Sequence, residues 1–398
     1  MKTIRLFAVL SIMSLCSCEA DFYALGDSSE GISEMPSESE GNGDEGNENS
    51  LAGTVTAGEW NDLDNWDFWN QLIDGQNEEK FYEHLNYWSL YPSNRFAVTI
   101  VNNDDQPVCG AKVELLLGEN QSPVWTSISD NRGSAELWYN ITSCEDTDEE
   151  KIFRISVNGV VCQEVPQASF SQIGLRMNTI IAEPIQVKKS ADIAFIVDAT
   201  GSMVDEIEFL KDDLLDIIRK AESNSSEVSL RTAALFYRDK GDKYLTRYDD
   251  FTTKPKETSD FIKEQEAAGG GDYPEAVHTA LEEAMQSLSW EEGNYARIAF
   301  LLLDAPPHHD SEVIESIQKS IRLYAEKGIK IIPVAASGVN KSTEFLLRMM
   351  AMFTDGTYTF ITDHSGVGNE HIVPTVGEYE VEQLNNLIVR LISKYTEL

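Results

Sequence analysis

Asp198, Thr200 and Ser202 stand at alternate positions where the apolar run Ile193-Ala194-Phe195-Ile196-Val197 gives way to a helical pattern. A carboxylate and two hydroxyls on a tight loop leaving a buried strand are hard oxygen donors. One small dication can draw them together, and Gly201 lets the loop fold sharply. Two later segments offer further donors. In Gly269-Gly270-Gly271-Asp272-Tyr273-Pro274-Glu275 the glycines permit close backbone approach, and Asp272 precedes a helix expected to begin near Pro274. In Leu301-Leu302-Leu303-Asp304 another buried strand ends in a carboxylate. Asp198, Thr200, Ser202, Asp272 and Asp304 make an all-oxygen set. Water would complete the shell around Mg²⁺, the simplest occupant, or Mn²⁺, or Ca²⁺ in a looser cage. Because the hydroxyls are neutral, the ion keeps some positive charge, so an acidic side chain of a protein partner can displace a water and bind it.

The elements that must position these donors alternate. Ile193–Val197, Leu230–Phe236, Ile298–Leu303 and Ile329–Ala335 read as strands buried on both faces. Amphipathic helices lie between and after them, one with Ile207, Leu210, Leu214 and Ile218 on a face, another with Ile314, Ile317 and Ile321, and a last with Leu384, Leu387, Leu391 and Ile392. The pattern predicts an α/β, doubly wound, mostly parallel sheet over residues 188–398, with ligands held beyond the carboxyl ends of the strands.

Strand, Asp-x-Thr-x-Ser, a Gly-rich loop before a helix and a strand ending in Asp resemble the von Willebrand factor type A domain. The wording Asp-Ala-Thr-Gly-Ser-Met, Gly-Gly-Gly-Asp-Tyr-Pro-Glu and Leu-Asp-Ala-Pro-Pro-His is similar to the subgroup found in hemicentins and alpha-kinase-associated domains. The resemblance implies a Rossmann-like fold, a metal-ion-dependent adhesion site at Asp198, Thr200, Ser202 and Asp304, and a protein partner bound through the ion. The middle loop departs from the family pattern, which offers the metal a threonine. Asp272 in that role is therefore inferred from the residues alone, and capping the following helix is its alternative.

Other polar groups have plainer readings. In His308-His309-Asp310 the adjacent imidazoles are badly spaced for one zinc ion, which makes them rim histidines. Arg238-Asp239-Lys240-Gly241-Asp242 reads as a solvated charged loop. The chain contains no Gly-x-Ser-x-Gly elbow, phosphate-cradling lysine motif or His-Glu-x-x-His. A binding module is accordingly expected rather than an enzyme. The alternatives are a metal-dependent hydrolase using His308 as base and a structural surface protein with a non-binding loop.

With 68 acidic against 31 basic residues and a net charge of −37, the chain repels nucleic acid and attracts cations. Residues 1–17 read as a lipoprotein signal peptide, with Lys2 and Arg5 before an apolar stretch too short to span a bilayer. Leu15-Cys16-Ser17-Cys18 resembles a bacterial lipobox, which implies acylation of Cys18, membrane anchoring and a location in the bacterial cell envelope, on the outer membrane or cell surface. Residues 18–52, an acidic tether too polar to fold, would hold the rest about 30 Å from the anchor.

Residues 53–92 are rich in aromatics. Such density invites sugar stacking, but Trp66, Trp69 and Leu72 at three-residue spacing predict the packing face of a short helix, so a helical segment docked on the next domain is expected. Between 93 and 187, alternation at Phe96/Val98/Ile100, Val113/Leu115/Leu117, Ala135/Leu137/Tyr139 and Phe153/Ile155/Val157 predicts half-buried strands of an antiparallel sandwich. The stretch from Asp105 to Val113, followed by Trp125-Thr126, resembles the Ig-like carboxypeptidase regulatory-like domain, which implies a spacer. Of Cys109, Cys144 and Cys162, three pairings are open. Cys144 with Cys162, which flank one predicted strand, is preferred.

Overall fold

The computed structural model describes residues 55–75, 80–144, 151–162, 178–224, 227–363 and 371–397. The expected signal peptide, the expected acylation site Cys18 and the expected tether therefore lie outside the described residues. No helix among the described residues is long and apolar enough to cross a membrane.

In chain order the elements are β1 (Thr56–Trp60), α1 (Trp66–Ile73), α2 (Glu83–Trp88), β2 (Arg95–Val101), β3 (Lys112–Leu117), β4 (Ser122–Ile128), β5 (Ser134–Trp138), β6 (Phe153–Val157), β7 (Val160–Val161) and β8 (Asn178–Ile181). The second half runs β9 (Lys188–Asp198), α3 (Val204–Asn224), β10 (Ser229–Tyr237), β11 (Thr246–Thr252), α4 (Pro255–Lys263), α5 (Val277–Ser287), β12 (Asn294–Leu303), α6 (Ser311–Glu326), β13 (Lys330–Ala335), α7 (Lys341–Phe353), β14 (Tyr358–Thr362), β15 (Glu382–Gln383) and α8 (Leu384–Thr396).

The large sheet has the order β11-β10-β9-β12-β13-β14-β1-β15. Its five central strands, β10 to β14 in that order, are parallel, while β11 and β1 run antiparallel to them at the flanks and β15 pairs antiparallel with β1. Residues of β9 alternate between two cores, as a strand covered on both faces must. Ile193, Phe195 and Val197 join α3 and α8, whereas Ala194 and Ile196 join α5, α6 and α7. From β9 the chain passes to β10 on one side and later returns to β12 on the other. The carboxyl ends of β9 and β12 thus form the crevice where strand order reverses, the place such sheets offer to ligands.

The aromatic segment begins differently from its helical expectation. Thr56–Trp60 is a strand of the large sheet, with Gly58 opposite Phe360 of β14. Trp66, Trp69 and Leu72 then form the buried face of α1. Trp66 lies 5.8 Å from Trp138 of β5, and Trp69 lies 6.0 Å from Phe345 of α7. Buried rings cannot stack on sugars. They join the segment to both halves of the molecule.

Residues 95–181 form a three-stranded sheet, β5-β2-β8, and a four-stranded antiparallel sheet, β4-β3-β6-β7. Two features depart from a half-buried antiparallel sandwich. β8 runs parallel to β2, and β5 is buried at every position because its second face meets α7, with Trp138 at 5.0 Å from Phe353. The polar residues on that face are paired, Arg95 donating to both carboxylate oxygens of Glu136 at 2.8 Å.

The cysteines also differ from expectation. Cys109, Cys144 and Cys162 are free thiols, so the Cys144–Cys162 bridge is not formed. Cys162 follows β7 and packs toward the core, whereas Cys144 is exposed beside Tyr91.

Candidate metal site

Two loops meet at the crevice because their backbones bond to a third. Ala199 N donates to Tyr237 O at 2.8 Å, Ala268 N to Ala199 O at 3.0 Å, and Gly201 N to Gly269 O at 3.2 Å. The glycine loop is fastened in turn to the end of β12, since Glu275 N donates to Pro306 O at 2.8 Å and Glu275 bridges Pro307. Gly270 has φ +72°, and a Cβ there would lie 2.9 Å from Glu275 Oε1 and 3.1 Å from Thr200 Cβ. The glycine requirement is therefore one of close approach as well as turn geometry.

Side chains line a cavity of about 510 Å³, among them Thr200, Ser202, Asp272, Tyr273, Glu275 and Asp304. Asp198 lies beneath it, fully buried. Its Oδ1 accepts from Thr200 N at 2.8 Å and from Thr200 Oγ1 at 2.7 Å, and Thr200 Oγ1 is 3.4 Å from Ser202 Oγ. Ser202 hydrogen-bonds Asp304. Asp198, Thr200, Ser202 and Asp304 thus form one connected cluster across two strand ends. The short helical turn at Gly201–Met203 has no side-chain cap, so these residues are not spent on starting α3.

The structure places Asp272 on the cavity wall with Thr200, Ser202 and Asp304. It lines the cavity but is exposed, and α5 begins at Val277 with Ala276 at its cap, so Asp272 neither caps a helix nor sits among the buried donors. The buried carboxylate of this loop is Glu275, three residues on. It was hidden in sequence because it fell within the expected helix. Glu206 at the start of α3 is a second such group, 4 % exposed, with Oε1 at 3.4 Å from Ser337 Oγ. Among the described residues no three His, Cys, Asp or Glu side chains converge closely enough to hold an ion by themselves.

Electrostatics decides what these oxygens fit. Asp198 Oδ2, Asp304 Oδ1, Glu206 Oε2 and Glu275 Oε2 are buried and unpaired among the described residues, apart from the Tyr237 hydroxyl beside Asp198. No Lys or Arg lines the cavity. Burial, then the neighbouring Asp304, raises the Asp198 carboxyl to about 7. Burial and Asp304 raise Glu206 to about 7, and burial with Asp198, Asp239 and other carboxylates raises Glu275 to about 9. Burial also raises Asp304. Buried carboxylate oxygens normally have partners, and uncompensated charge costs several kcal/mol. Hard oxygen donors with no internal cation are the chemistry a dication satisfies.

The loop after β10 is less solvated than its composition suggests. Arg238 and Asp239 are buried, Arg238 Nε donating to Ala199 O at 3.0 Å and Nη2 to Glu266 O at 2.6 Å. Asp242 Oδ2 accepts from Gly270 N at 3.1 Å. These charges hold the backbone of the site. The two histidines turn to different partners, His308 Nε2 to Asp239 Oδ1 at 2.8 Å and His309 onto the ring of Tyr87 at 3.7 Å. Asp310 caps α6 through Glu312 N and Val313 N.

Residues 192–369 match the family model described as von Willebrand factor A domain. An ariadne-like RING finger protein of Acanthamoeba polyphaga mimivirus is 33% identical over 130 residues, which is 33% of this chain and 12% of that protein. Alpha-protein kinase vwkA of Dictyostelium discoideum is 30% identical over 126 residues, 31% of this chain and 20% of that protein. The chain thus matches only a small part of either relative's length. Among solved structures, BatB from Bacteroides thetaiotaomicron shares 15% identity with a TM-score of 0.35, over 52% of this chain and 99% of that one. Proximal thread matrix protein 1 of the mussel byssus shares 17% with a TM-score of 0.29, over 41% of this chain and 39% of that one.

Proposed function

We propose that the von Willebrand factor A domain at residues 192–369 holds one divalent cation, Mg²⁺ or alternatively Mn²⁺ or Ca²⁺. Asp198, Thr200, Ser202 and Asp304 would hold it, and an acidic side chain of a protein partner would complete its shell. The observation that carries this reading is the set of buried carboxylate oxygens at two adjacent strand ends, linked by two hydroxyls. When bound, the ion supplies an electrophilic anchor for a carboxylate. The protein's part is to hold the donors rigidly through the Arg238 and Asp242 backbone contacts and to leave an open cavity above them.

Binding rather than turnover is the favoured role, because the sequence carries no Gly-x-Ser-x-Gly, phosphate-cradling lysine or His-Glu-x-x-His motif. The amino-terminal residues support display of the domain from a lipid-anchored Cys18 at a bacterial cell envelope, with the sheets of residues 95–181 as spacer.

Isothermal titration tests the metal. The wild type should take up one equivalent of Mg²⁺ or Mn²⁺, and Asp198→Ala and Asp304→Ala should weaken binding about 100-fold or more, the cost of removing a charged donor. Equal heats from all three proteins would refute the reading.

A further inference from the structure

We propose that a second cleft, at the opposite end of the large sheet, is a binding site for a small amphipathic carboxylate with an acyl or aryl body. It lies where the small sheets meet the amino ends of β9 and β12 and encloses about 500 Å³, within the range of pockets that bury a drug-sized ligand. Its walls come from three regions. Ile128 of β4 and Ile185 of the connection to β9 stand on one side, and Met285, Leu288 and Trp290 at the end of α5 stand on the other.

The polar group that singles out a carboxylate is Arg297. It is 8 % exposed, and its guanidinium is fixed by two carbonyls, Nε donating to Glu291 O at 2.9 Å and Nη1 to Lys327 O at 3.1 Å. The remaining nitrogen, Nη2, has no hydrogen-bond partner among the described residues. A planar guanidinium held in this way offers a preorganised donor to a carboxylate oxygen. The nearby Asp192 is engaged by Arg231 at 3.1 Å and by Glu291 N at 2.7 Å.

Charge sets this cleft apart from the metal site. Arg297, Lys112 and Lys327 all line it, whereas the metal cavity contains no basic side chain. The acidic residues present are Glu292 and Glu326, and Glu292 is paired with Lys327 at 3.5 Å. Lys112 is paired in turn with Glu114 at 2.6 Å, which leaves Arg297 as the cleft's basic group with no ion pair among the described residues. Apolar walls around one buried donor favour an amphipath over a small inorganic anion, which would leave those walls in water.

The test titrates the full chain with dodecanoate below its micellar concentration, reading calorimetric heat and tryptophan emission, with dodecanol as the uncharged control. One saturable site is expected, with dodecanoate bound about tenfold or more tightly than dodecanol. Arg297→Gln should remove that preference. Ile185→Glu, at a 39 % exposed wall position where folding is not at stake, should weaken dodecanoate about tenfold by placing a like charge in the wall. If Arg297→Gln fails to fold, Ile185→Glu decides alone. No saturable binding, equal affinity for dodecanoate and dodecanol, or unchanged binding in Ile185→Glu would overturn the proposal.

Discussion

In the presence of chelator, the midpoint of thermal unfolding should fall by about 10 °C between pH 6.5 and pH 9, and saturating Mg²⁺ should recover most of that loss. The cause is the group of carboxyls at the crevice. Burial first and neighbouring carboxylates second hold Asp198 and Glu206 up to about 7 and Glu275 up to about 9. In the unfolded chain the same groups ionise near pH 4. The folded state therefore keeps protons that the unfolded state has released. Their contribution to stability is complete below pH 4 and is lost as pH rises through 7 and then 9. Above pH 6.5 the loss amounts to roughly 3–5 kcal/mol. His84 and His278 are lowered by burial and work in the opposite sense, because each still holds about half a proton at pH 6.5 in the unfolded chain and releases it by pH 9, but together they offset less than about 1 kcal/mol of the loss.

A dication that binds only the folded form adds stability by mass action, about 2.7 kcal/mol at a hundred times its dissociation constant. It competes with the protons, so its benefit should grow with pH. Differential scanning fluorimetry at pH 6.5, 7.5 and 9, with and without Mg²⁺, reads this directly. A chelated midpoint that stays level or rises over this range would contradict the account.

The second large effect lies away from the crevice. Arg348→Met should destabilise the protein by about 3–5 kcal/mol, measured by denaturant unfolding. Arg348 of α7 is fully buried. Its Nε and Nη2 donate to the two carboxylate oxygens of Asp62 at 2.8 and 2.5 Å, its Nη1 donates to Thr375 O at 2.6 Å, and Glu344 lies 3.5 Å away. The rings of Trp69 and Phe81 each lie 5.1 Å from the guanidinium. Methionine fills the volume but leaves Asp62 buried without its cation, while Glu344 keeps Lys341 at 3.2 Å. Asp62→Asn should also destabilise, and the double variant should lose less than the sum, since the two residues share one interaction. A loss under about 1 kcal/mol in Arg348→Met would show that the pair does not clamp the amino-terminal segment to α7.

What was legible in the sequence was local. The apolar runs ending at Asp198 and Asp304 mark buried strands because two-sided burial needs continuous apolar residues, and the switch between adjacent strand ends brings those aspartates together. What was not legible depends on partners distant in sequence. Thr56–Trp60 is short and contains Gly58, so nothing in its own pattern marks a strand, and β14 makes it one by pairing. Glu275 and Asp272 look equivalent as carboxylates after a glycine run. Only the bridge from Glu275 to Pro307 decides which of them turns inward. Arg238 and Asp239 have the composition of a solvated loop, yet the carbonyl of Ala199 and the imidazole of His308 draw them inside. The alternation in β5 suggested one wet face, and the docking of α7 covered it.

Anomalous scattering from crystals grown with Mn²⁺ tests the central claim most directly. The account predicts one strong peak in the crevice, held by oxygens from Asp198, Thr200, Ser202 and Asp304, directly or through water. Crystals saturated with Mn²⁺ that show no peak there, or a peak held only by the exposed Asp272, would contradict it.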